Sequence, residues 1–159
     1  MEQKTKYKIA YLVLLLGVSL PLFVPGIEGH FGQDLGFHLN RIEGLFLELK
    51  SGHFPVYIES YWMNGYGYAN AIYYGDLFLY FPAILRLLGV PVVASYKLYL
   101  LAINICTILI CKYCFLKIFK EDAIAFFVTL AYCSATYRMV NLFIRGAVGE
   151  YTAMMFLPL

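Results

Sequence analysis

Charged residues are scarce in this sequence. They make up 14% of its 159 residues, whereas soluble domains contain about 25%. With 62% hydrophobic residues and a mean hydropathy of +0.70, this deficit excludes an ordinary soluble domain. The net charge of +2 is too small and too scattered for a surface that binds nucleic acid. The composition therefore predicts an integral membrane protein of the all-α class.

Cysteine and histidine are also scarce, at four and three residues. Cys111 and Cys114 have the C-x-x-C spacing of a redox pair or of half a zinc site. No second Cys/His pair accompanies them, and no βαβ pattern surrounds them. We therefore interpret the cysteines as small, buried apolar residues. The sequence also has no internal repeat and no low-complexity linker.

The first apolar run predicts a membrane span over about residues 8–25. Three lysines precede or open it, at positions 4, 6 and 8. By the positive-inside rule they stay in the cytoplasm, so the span runs outward. A cleaved signal peptide is the alternative, but no small-x-small cleavage site follows the run. We interpret it as a retained anchor.

An outer loop over residues 26–91 is predicted to follow, then spans over 92–116 and 122–141, with another beginning within 150–159. Within the loop, Asp76–Val90 is apolar but short and interrupted by charge. If it crossed the membrane, the lysines at 112, 117 and 120 would face outside, against the charge rule. We therefore predict an interfacial or re-entrant helix there, and an extracytoplasmic face carrying Asp34, Trp62 and Glu150.

The nine residues after Glu150 are too few for a span, which needs about 20 apolar residues. Either a re-entrant segment ends the protein, or the chain is the first part of a longer one. We expect the second.

The segment just beyond the first span concentrates ionisable groups. As a helix, it places Asp34, His38 and Arg41 at i, i+4 and i+7, on one face. An apolar stripe lies beside them, consisting of Leu35, Leu39, Ile42, Phe46 and Leu49. This pattern predicts an interfacial helix that presents polar groups to a site at the membrane surface.

Asp34 is the first candidate catalytic residue, because an acid at such a site acts as a general base or holds a divalent cation. A structural role as the N-cap of the helix is the alternative, and the two are compatible. His38 is a candidate second metal ligand or proton shuttle. Asp34 and His38 are only a weak metal signal, and a buried hydrogen-bonding role is as good an interpretation of His38.

Other candidates lie along the predicted outer face. Arg41, Arg138 and Arg145 suit a phosphate group, although arginines at a membrane edge also meet lipid head groups. Tyr66 and Tyr68 belong to an aromatic, glycine-rich loop that suits stacking on a sugar or an isoprenoid chain, or forms an interfacial belt. Asp76 is a further substrate-binding candidate or a helix cap. Glu150 opens an apolar segment, where an ionisable group is costly and indicates function.

Four segments carry a resemblance to a known family. They are Gly32–Ile42 (GQDLGFHLNRI), Gly65–Ala69 (GYGYA), Tyr74–Pro82 (YGDLFLYFP) and Arg145–Tyr151 (RGAVGEY). The chain resembles the N-terminal portion of bacterial YfhO-like membrane proteins and, in the order of its elements, the GT-C superfamily of polytopic glycosyltransferases. Some of these proteins carry the label 6-pyruvoyl-tetrahydropterin synthase-related, but nothing soluble or pterin-binding is visible here.

The resemblance implies a GT-C-like arrangement with two interfacial helices in the first outer loop. It implies transfer of a sugar from a polyprenyl-phosphate donor to a glycan or lipid acceptor of the cell envelope, at the outer face of a multi-pass cell-membrane protein. Asp34 matches the loop acid of the family, and Glu150 would correspond to its second signature acid. A transporter or flippase of a lipid-linked substrate is one alternative, and a non-catalytic scaffold for envelope assembly is another.

Overall fold

The computed structural model describes residues 2–24 and 34–159. Helices dominate these residues, which contain no strand, and Glu59 and Tyr68 form an isolated antiparallel bridge. The start of the predicted outer loop, with Gly32 and Gln33, lies outside the described residues. The helices are α1 (Glu2–Ser19), α2 (Leu35–Lys50), α3 (Asn70–Tyr73), α4 (Tyr80–Leu87), α5 (Val92–Phe119), α6 (Asp122–Cys133), α7 (Thr136–Val140) and α8 (Val148–Ala153).

The chain forms two compact units. Unit 1 comprises Met1–Gln33 with Leu100–Leu159, and unit 2 comprises Asp34–Tyr99. The division falls within α5.

Two helical segments of the described residues are long and apolar enough to cross a membrane, Thr5–Phe23 and Val92–Phe119. At about 1.5 Å per residue they measure about 28 and 42 Å, against a hydrocarbon core of about 30 Å. Both expose large apolar side chains, such as Val13 and Leu109. The prediction of an all-helical protein with helices long and apolar enough to span a membrane is confirmed for the described residues.

The predicted span over residues 122–141 is not one straight helix. It consists of Asp122–Cys133 and Thr136–Arg145, with a bend of 45° between them. At the break, the Ser134 hydroxyl donates a hydrogen bond to the Leu130 carbonyl at 2.7 Å, and Ala135 adopts an extended ψ of 131°. Serine bonds of this kind compete with the helix backbone and bend it. The pair is long enough for a third span if it is counted as one.

Unit 1 has an apolar core between α1, α5 and α6. Tyr11 packs edge-on against Phe126, with ring centroids 5.2 Å apart, and Ile108 and Cys133 are buried beside it. The four cysteines are free thiols. Three are buried, as predicted, but Cys106 is exposed, because it lies on the outward side of α5.

Unit 2 consists of α2 packed on α4, with the loop between them folded against α2. Ile42, Leu45 and Ala83 are fully buried. The Arg86 guanidinium of α4 binds both carboxylate oxygens of Glu43 in α2 at 2.8 Å. It also lies over the Phe46 ring, which explains its position against α2.

The segment predicted to lie in the interface forms a short helix. Residues Leu77–Leu87 measure about 17 Å at 1.5 Å per residue, about half the thickness of a hydrocarbon core. Leu77, Phe81, Ile84 and Leu88 are exposed on it. Such a helix is too short to span a membrane, and its orientation along the interface stays a prediction. The predicted start of a further span is helical only to Ala153.

Candidate functional site

Asp34 occupies the N-cap position of α2, as its place before the periodic residues predicted. Its backbone carbonyl accepts the first helical hydrogen bond, from the His38 amide at 3.1 Å. Its side chain is exposed and makes no capping hydrogen bond within the described residues. The Asp34 carboxylate therefore makes no hydrogen bond to the backbone amides at the start of α2.

His38 lies one turn further along α2 and is 6% exposed. Its Nδ1 faces Nη1 of Arg41 at 3.4 Å. Because arginine can only donate, Nδ1 is the acceptor and the proton lies on Nε2. Burial and, to a smaller extent, the Arg41 charge lower the pKa of His38 to about 4, and Asp34 opposes them. The imidazole is therefore neutral at pH 7.

Arg41 is the centre of a buried polar cluster and is 2% exposed. Its Nη2 donates to the carbonyls of Tyr74 and Gly75 at 3.3 and 3.2 Å and forms an ion pair with Asp76 Oδ1. The rings of Phe37 and Tyr74 lie 5.7 and 5.4 Å from the guanidinium carbon. Arg41 thus holds the chain at 74–76 against α2.

The polar face of α2 was predicted to open onto the membrane surface. This prediction is wrong for Arg41, whereas for His38 the alternative interpretation, a buried hydrogen-bonding residue, is confirmed. His38 and Arg41 are buried, because the loop closes over them, and Asp34 remains exposed. Asp76, predicted as a ligand-binding residue or a cap, is the anionic partner of Arg41 and makes no capping bond of its own.

Glu59 is a member of this cluster that the sequence did not indicate. It is fully buried, and neither carboxylate oxygen has a hydrogen-bond partner among the described residues. Burial, together with the charges of Asp76 and Glu48, raises the pKa of Glu59 to about 8, and Arg41 opposes the rise. With Glu59 protonated, the charges of Arg41 and Asp76 cancel.

Glu48 lies near the C-terminal end of α2, and its carboxylate stays charged. The carboxylate accepts a hydrogen bond from the Ser60 amide and contacts His53 Nδ1, both at 2.7 Å. The Ser60 bond is the main reason that the pKa of Glu48 is lowered. Asn70, at the start of α3, is fully buried and has no partner for either amide atom in the described chain. Nothing in the local sequence separates Glu59 or Asn70 from ordinary loop residues.

The two candidate tyrosines of the aromatic loop differ in exposure. Tyr66 is 92% exposed and free to stack on a ligand. Tyr68 is half-buried, with its ring centroid 5.4 Å from that of Trp62. Trp62 in turn packs edge-on against Phe37 of α2. Tyr68 therefore belongs to a packed aromatic cluster, and Tyr66 lies outside it.

In unit 1, Arg138 is buried just beyond the bend between α6 and α7. Its partners are neutral: Asn104 Oδ1 at 2.9 Å, Thr107 Oγ1 at 3.2 Å and the Cys133 carbonyl at 3.3 Å. The Tyr151 ring lies 4.5 Å from the guanidinium carbon. A buried arginine with neutral partners is costly in an apolar helical unit.

Arg145 and Glu150 form a more exposed group in unit 1. The guanidinium binds both Glu150 oxygens, at 2.9 and 3.1 Å, and Tyr137 donates to the same carboxylate. The Tyr137 hydrogen bond and the Arg145 charge lower the pKa of Glu150. Gly146, with φ of 66°, turns the chain between them.

A divalent cation fits these residues poorly. Within residues 2–24 and 34–159, no three His, Cys, Asp or Glu side chains are grouped to hold a metal ion. Of the predicted pair, Asp34 is exposed, whereas the His38 Nδ1 faces a guanidinium. We therefore derive no chemistry through a metal.

Comparisons with known proteins give one distant relative. No family model and no solved structure matches the chain. It is similar to a protein of Lactococcus lactis subsp. cremoris (strain MG1363), described as an uncharacterized protein, with 23% identity over 170 residues. The match covers the whole chain and 27% of the relative, so the chain spans about a quarter of that protein's length. The description names no activity.

Proposed function

We propose that the chain is the N-terminal part of a membrane glycosyltransferase. Its donor is a polyprenyl-phosphate sugar, its acceptor is a hydroxyl group of the cell envelope, and the reaction takes place outside the cytoplasmic membrane. The observation that carries the proposal is the Asp34 carboxylate, which is exposed and uncapped at the end of a helix fixed by the Arg41 cluster.

Asp34 acts as the general base. As the acceptor oxygen bonds to the anomeric carbon of the sugar, Asp34 takes the hydroxyl proton. The bond between that carbon and the phosphate oxygen breaks, and the phosphate leaves with its electron pair. A positioned general base of this kind accelerates transfer by about 10²–10⁴.

Other residues bind or position the substrate. Tyr66 offers an exposed aromatic face for a sugar ring. Among the three arginines predicted to meet phosphate, Arg41 and Arg138 are occupied inside the protein, and the Arg145 side chain is 35% exposed. Within unit 1, Arg145 is therefore the arginine that a phosphate can reach, and Glu150 accepts hydrogen bonds from both Arg145 and Tyr137.

Asp34→Asn in the full-length protein tests the proposal. Asparagine keeps the shape and the capping ability of aspartate but removes its basicity, so we expect transfer from the native donor to fall by about 10²–10⁴. Asp122→Asn is the matched control, because Asp122 is an exposed aspartate at the start of another helix. Full activity of Asp34→Asn in correctly inserted protein would refute the assignment.

A transporter or flippase of a lipid-linked substrate is the second candidate, and Arg138 favours it. Transporters bind their substrates at broken helices near the middle of the membrane, and Arg138 is a buried cation beside the break between α6 and α7. Proteoliposomes with a fluorescent polyprenyl-phosphate sugar distinguish the two. Movement of the intact lipid across the bilayer without sugar transfer supports the transporter.

A further inference from the structure

The loop at residues 59–68 of unit 2 is closed at its base by the bridge between Glu59 and Tyr68. Each of these residues donates its amide to the carbonyl of the other, at 3.0 and 3.1 Å. The loop carries the exposed ring of Tyr66 and the ring of Trp62, which packs against Phe37 of α2. Because Glu59 is one half of the bridge, a displacement of Glu59 breaks the bridge or carries the loop with it.

Two hydrogen bonds attach the start of this loop to α2. The Ser60 amide donates to the Glu48 carboxylate at 2.7 Å, and the Tyr61 hydroxyl donates to the Asn40 carbonyl at 2.6 Å. The Glu59 carboxyl group takes part in neither bond. It is fully buried and has no hydrogen-bond partner among the described residues. The closed loop therefore contains a buried carboxyl group that contributes no hydrogen bond to its attachment.

The charged groups that act on Glu59, among the described residues, are Asp76 in the segment before α4 and Arg41 and Glu48 of α2. Arg41 is already paired with Asp76. Within the loop, the neighbouring Tyr61 hydroxyl stays protonated, because burial and Glu59 raise the pKa of Tyr61 to about 12. An ionised Glu59 would thus be a second buried anion beside one guanidinium, without a hydrogen bond of its own.

Ionisation of Glu59 favours any conformation in which water reaches its carboxylate. We propose that deprotonation of Glu59 opens the loop at 59–68, so that its attachment to α2 is broken and its aromatic rings leave the helix. The proton goes to water, and reprotonation closes the loop. Burial and the neighbouring carboxylates raise the pKa of Glu59 to about 8 in the closed loop, so the loop opens more readily as the pH rises from 6.5 to 8. The inference is independent of the proposed transferase, since Asp34 lies outside the loop.

Hydrogen exchange of the full-length protein in phosphatidylcholine nanodiscs tests the opening. Protection factors, which correct for the pH dependence of exchange itself, are compared at pH 6.5 and 8 for the peptide containing residues 58–69. We expect the protection of this peptide to fall about tenfold, because opening releases one proton. Unchanged protection would show that the closed loop tolerates the carboxylate, and it would overturn the proposal.

Glu59→Gln keeps the size of the side chain but cannot ionise, so the peptide should be equally protected at both pH values. Glu59→Leu also removes the ionisable group and leaves no buried polar atom, so it replaces Glu59→Gln if that variant does not fold. Glu43→Gln is the matched control, since Glu43 is a half-buried glutamate of α2 that binds Arg86. It should keep the wild-type loss of protection. A tenfold loss that persists in either folded Glu59 variant contradicts the proposal.

Low concentrations of urea separate opening of the loop from unfolding of the whole unit. Local opening exposes little surface, so the protection of residues 58–69 at pH 8 should stay the same up to about 1 M urea. The slowest amides of α2 exchange by unfolding of the unit, and their protection should fall over the same range. An equal fall in both would show that the loop leaves α2 only when the unit unfolds, and it would overturn the proposal.

Discussion

Gly44 of α2 lies directly against the carboxyl group of Glu59. A Cβ placed on Gly44 would be 2.5 Å from Glu59 Oε2 and 2.9 Å from Cε1 of the Tyr61 ring. The helix backbone itself therefore forms one wall of the buried polar cluster. The close approach depends on the missing side chain at position 44.

Replacement of Gly44 by alanine tests this approach. Gly44→Ala forces the Glu59 and Tyr61 side chains to move, and overpacking of this kind typically costs about 1–3 kcal/mol. We expect a lower melting temperature of the purified protein. Gly36→Ala is the control on the same helix, because its Cβ would meet nothing within 4 Å. Gly36→Ala should leave the melting temperature unchanged or raise it. Equal effects of the two variants would contradict the close packing of Gly44 against Glu59 and Tyr61.

The pH dependence of stability follows from Glu59 and His38. The pKa of Glu59 rises from 4.5 to about 8 on folding, so its contribution to stability is full below pH 4.5 and is lost as the pH rises to 8. The pKa of His38 falls from 6.5 to about 4, so its contribution is full above pH 6.5 and is lost on acidification. The two effects oppose each other between pH 4.5 and 6.5.

Between pH 6.5 and 8, only the Glu59 effect remains. We expect the free energy of unfolding to decrease by on the order of 2 kcal/mol across this window. Glu59→Gln keeps the shape without the charge and should flatten the dependence, as measured by thermal melting at half-unit steps of pH. His38→Gln should leave that window unchanged and produce a decline in stability between pH 4.5 and 6.5, where the two effects oppose each other in the wild type. A wild-type melting temperature that rises from pH 6.5 to 8 would refute this assignment.

Arg41→Lys tests whether the contacts of the Arg41 guanidinium hold residues 74–76 against α2. A lysine ammonium is a point charge that cannot reproduce the planar set of contacts to Asp76, His38 and two carbonyls. We expect at least tenfold faster hydrogen exchange in the peptide containing residues 70–80. The half-buried Arg86 serves as the control, since Arg86→Lys should affect the α2–α4 contact and leave that peptide protected. Unchanged hydrogen exchange of this peptide in Arg41→Lys would show that Arg41 does not hold residues 74–76 in place.

The predicted topology is tested by single cysteines. In a Cys106→Ser background, which removes the exposed native thiol, Tyr66→Cys should react with an impermeant maleimide added to intact cells. Ile118→Cys should react only after the membrane is opened, because the neighbouring lysines keep it in the cytoplasm. Both positions are exposed, at 92% and 63%. Strong outside labelling at position 118 would overturn the orientation.

The sequence predicts the elements of unit 2 better than their contacts. Asp34 before a periodic run marks the start of α2, and the charges and proline of residues 76–90 exclude a long span there. The pairing of Arg41 with Asp76 depends on the path of 34 intervening residues, which no local pattern specifies. The same holds for Glu59, whose burial is created by the loop and by the glycine opposite it.

The pattern of charged residues leads to a wrong prediction for the polar face of α2. Asp34, His38 and Arg41 share one helical face, and a polar face normally turns toward water. The loop instead supplies carbonyls, a carboxylate and aromatic rings that satisfy Arg41, so His38 and Arg41 are buried along with the apolar Ile42 and Leu45. In unit 1, the apolar pattern over residues 122–141 predicts one helix, because the break at Ser134 and Ala135 leaves no mark on hydropathy.

The bend between α6 and α7 and the position of Arg138 meet at one atom, the carbonyl oxygen of Cys133. In a continuous α-helix this oxygen would accept the amide of Tyr137. At the bend it accepts a hydrogen bond from the Arg138 guanidinium. A buried carbonyl without a donor is unfavourable, and so is a buried guanidinium without an acceptor. The cost of breaking the helix and the cost of burying the Arg138 charge are therefore offset by the same hydrogen bond.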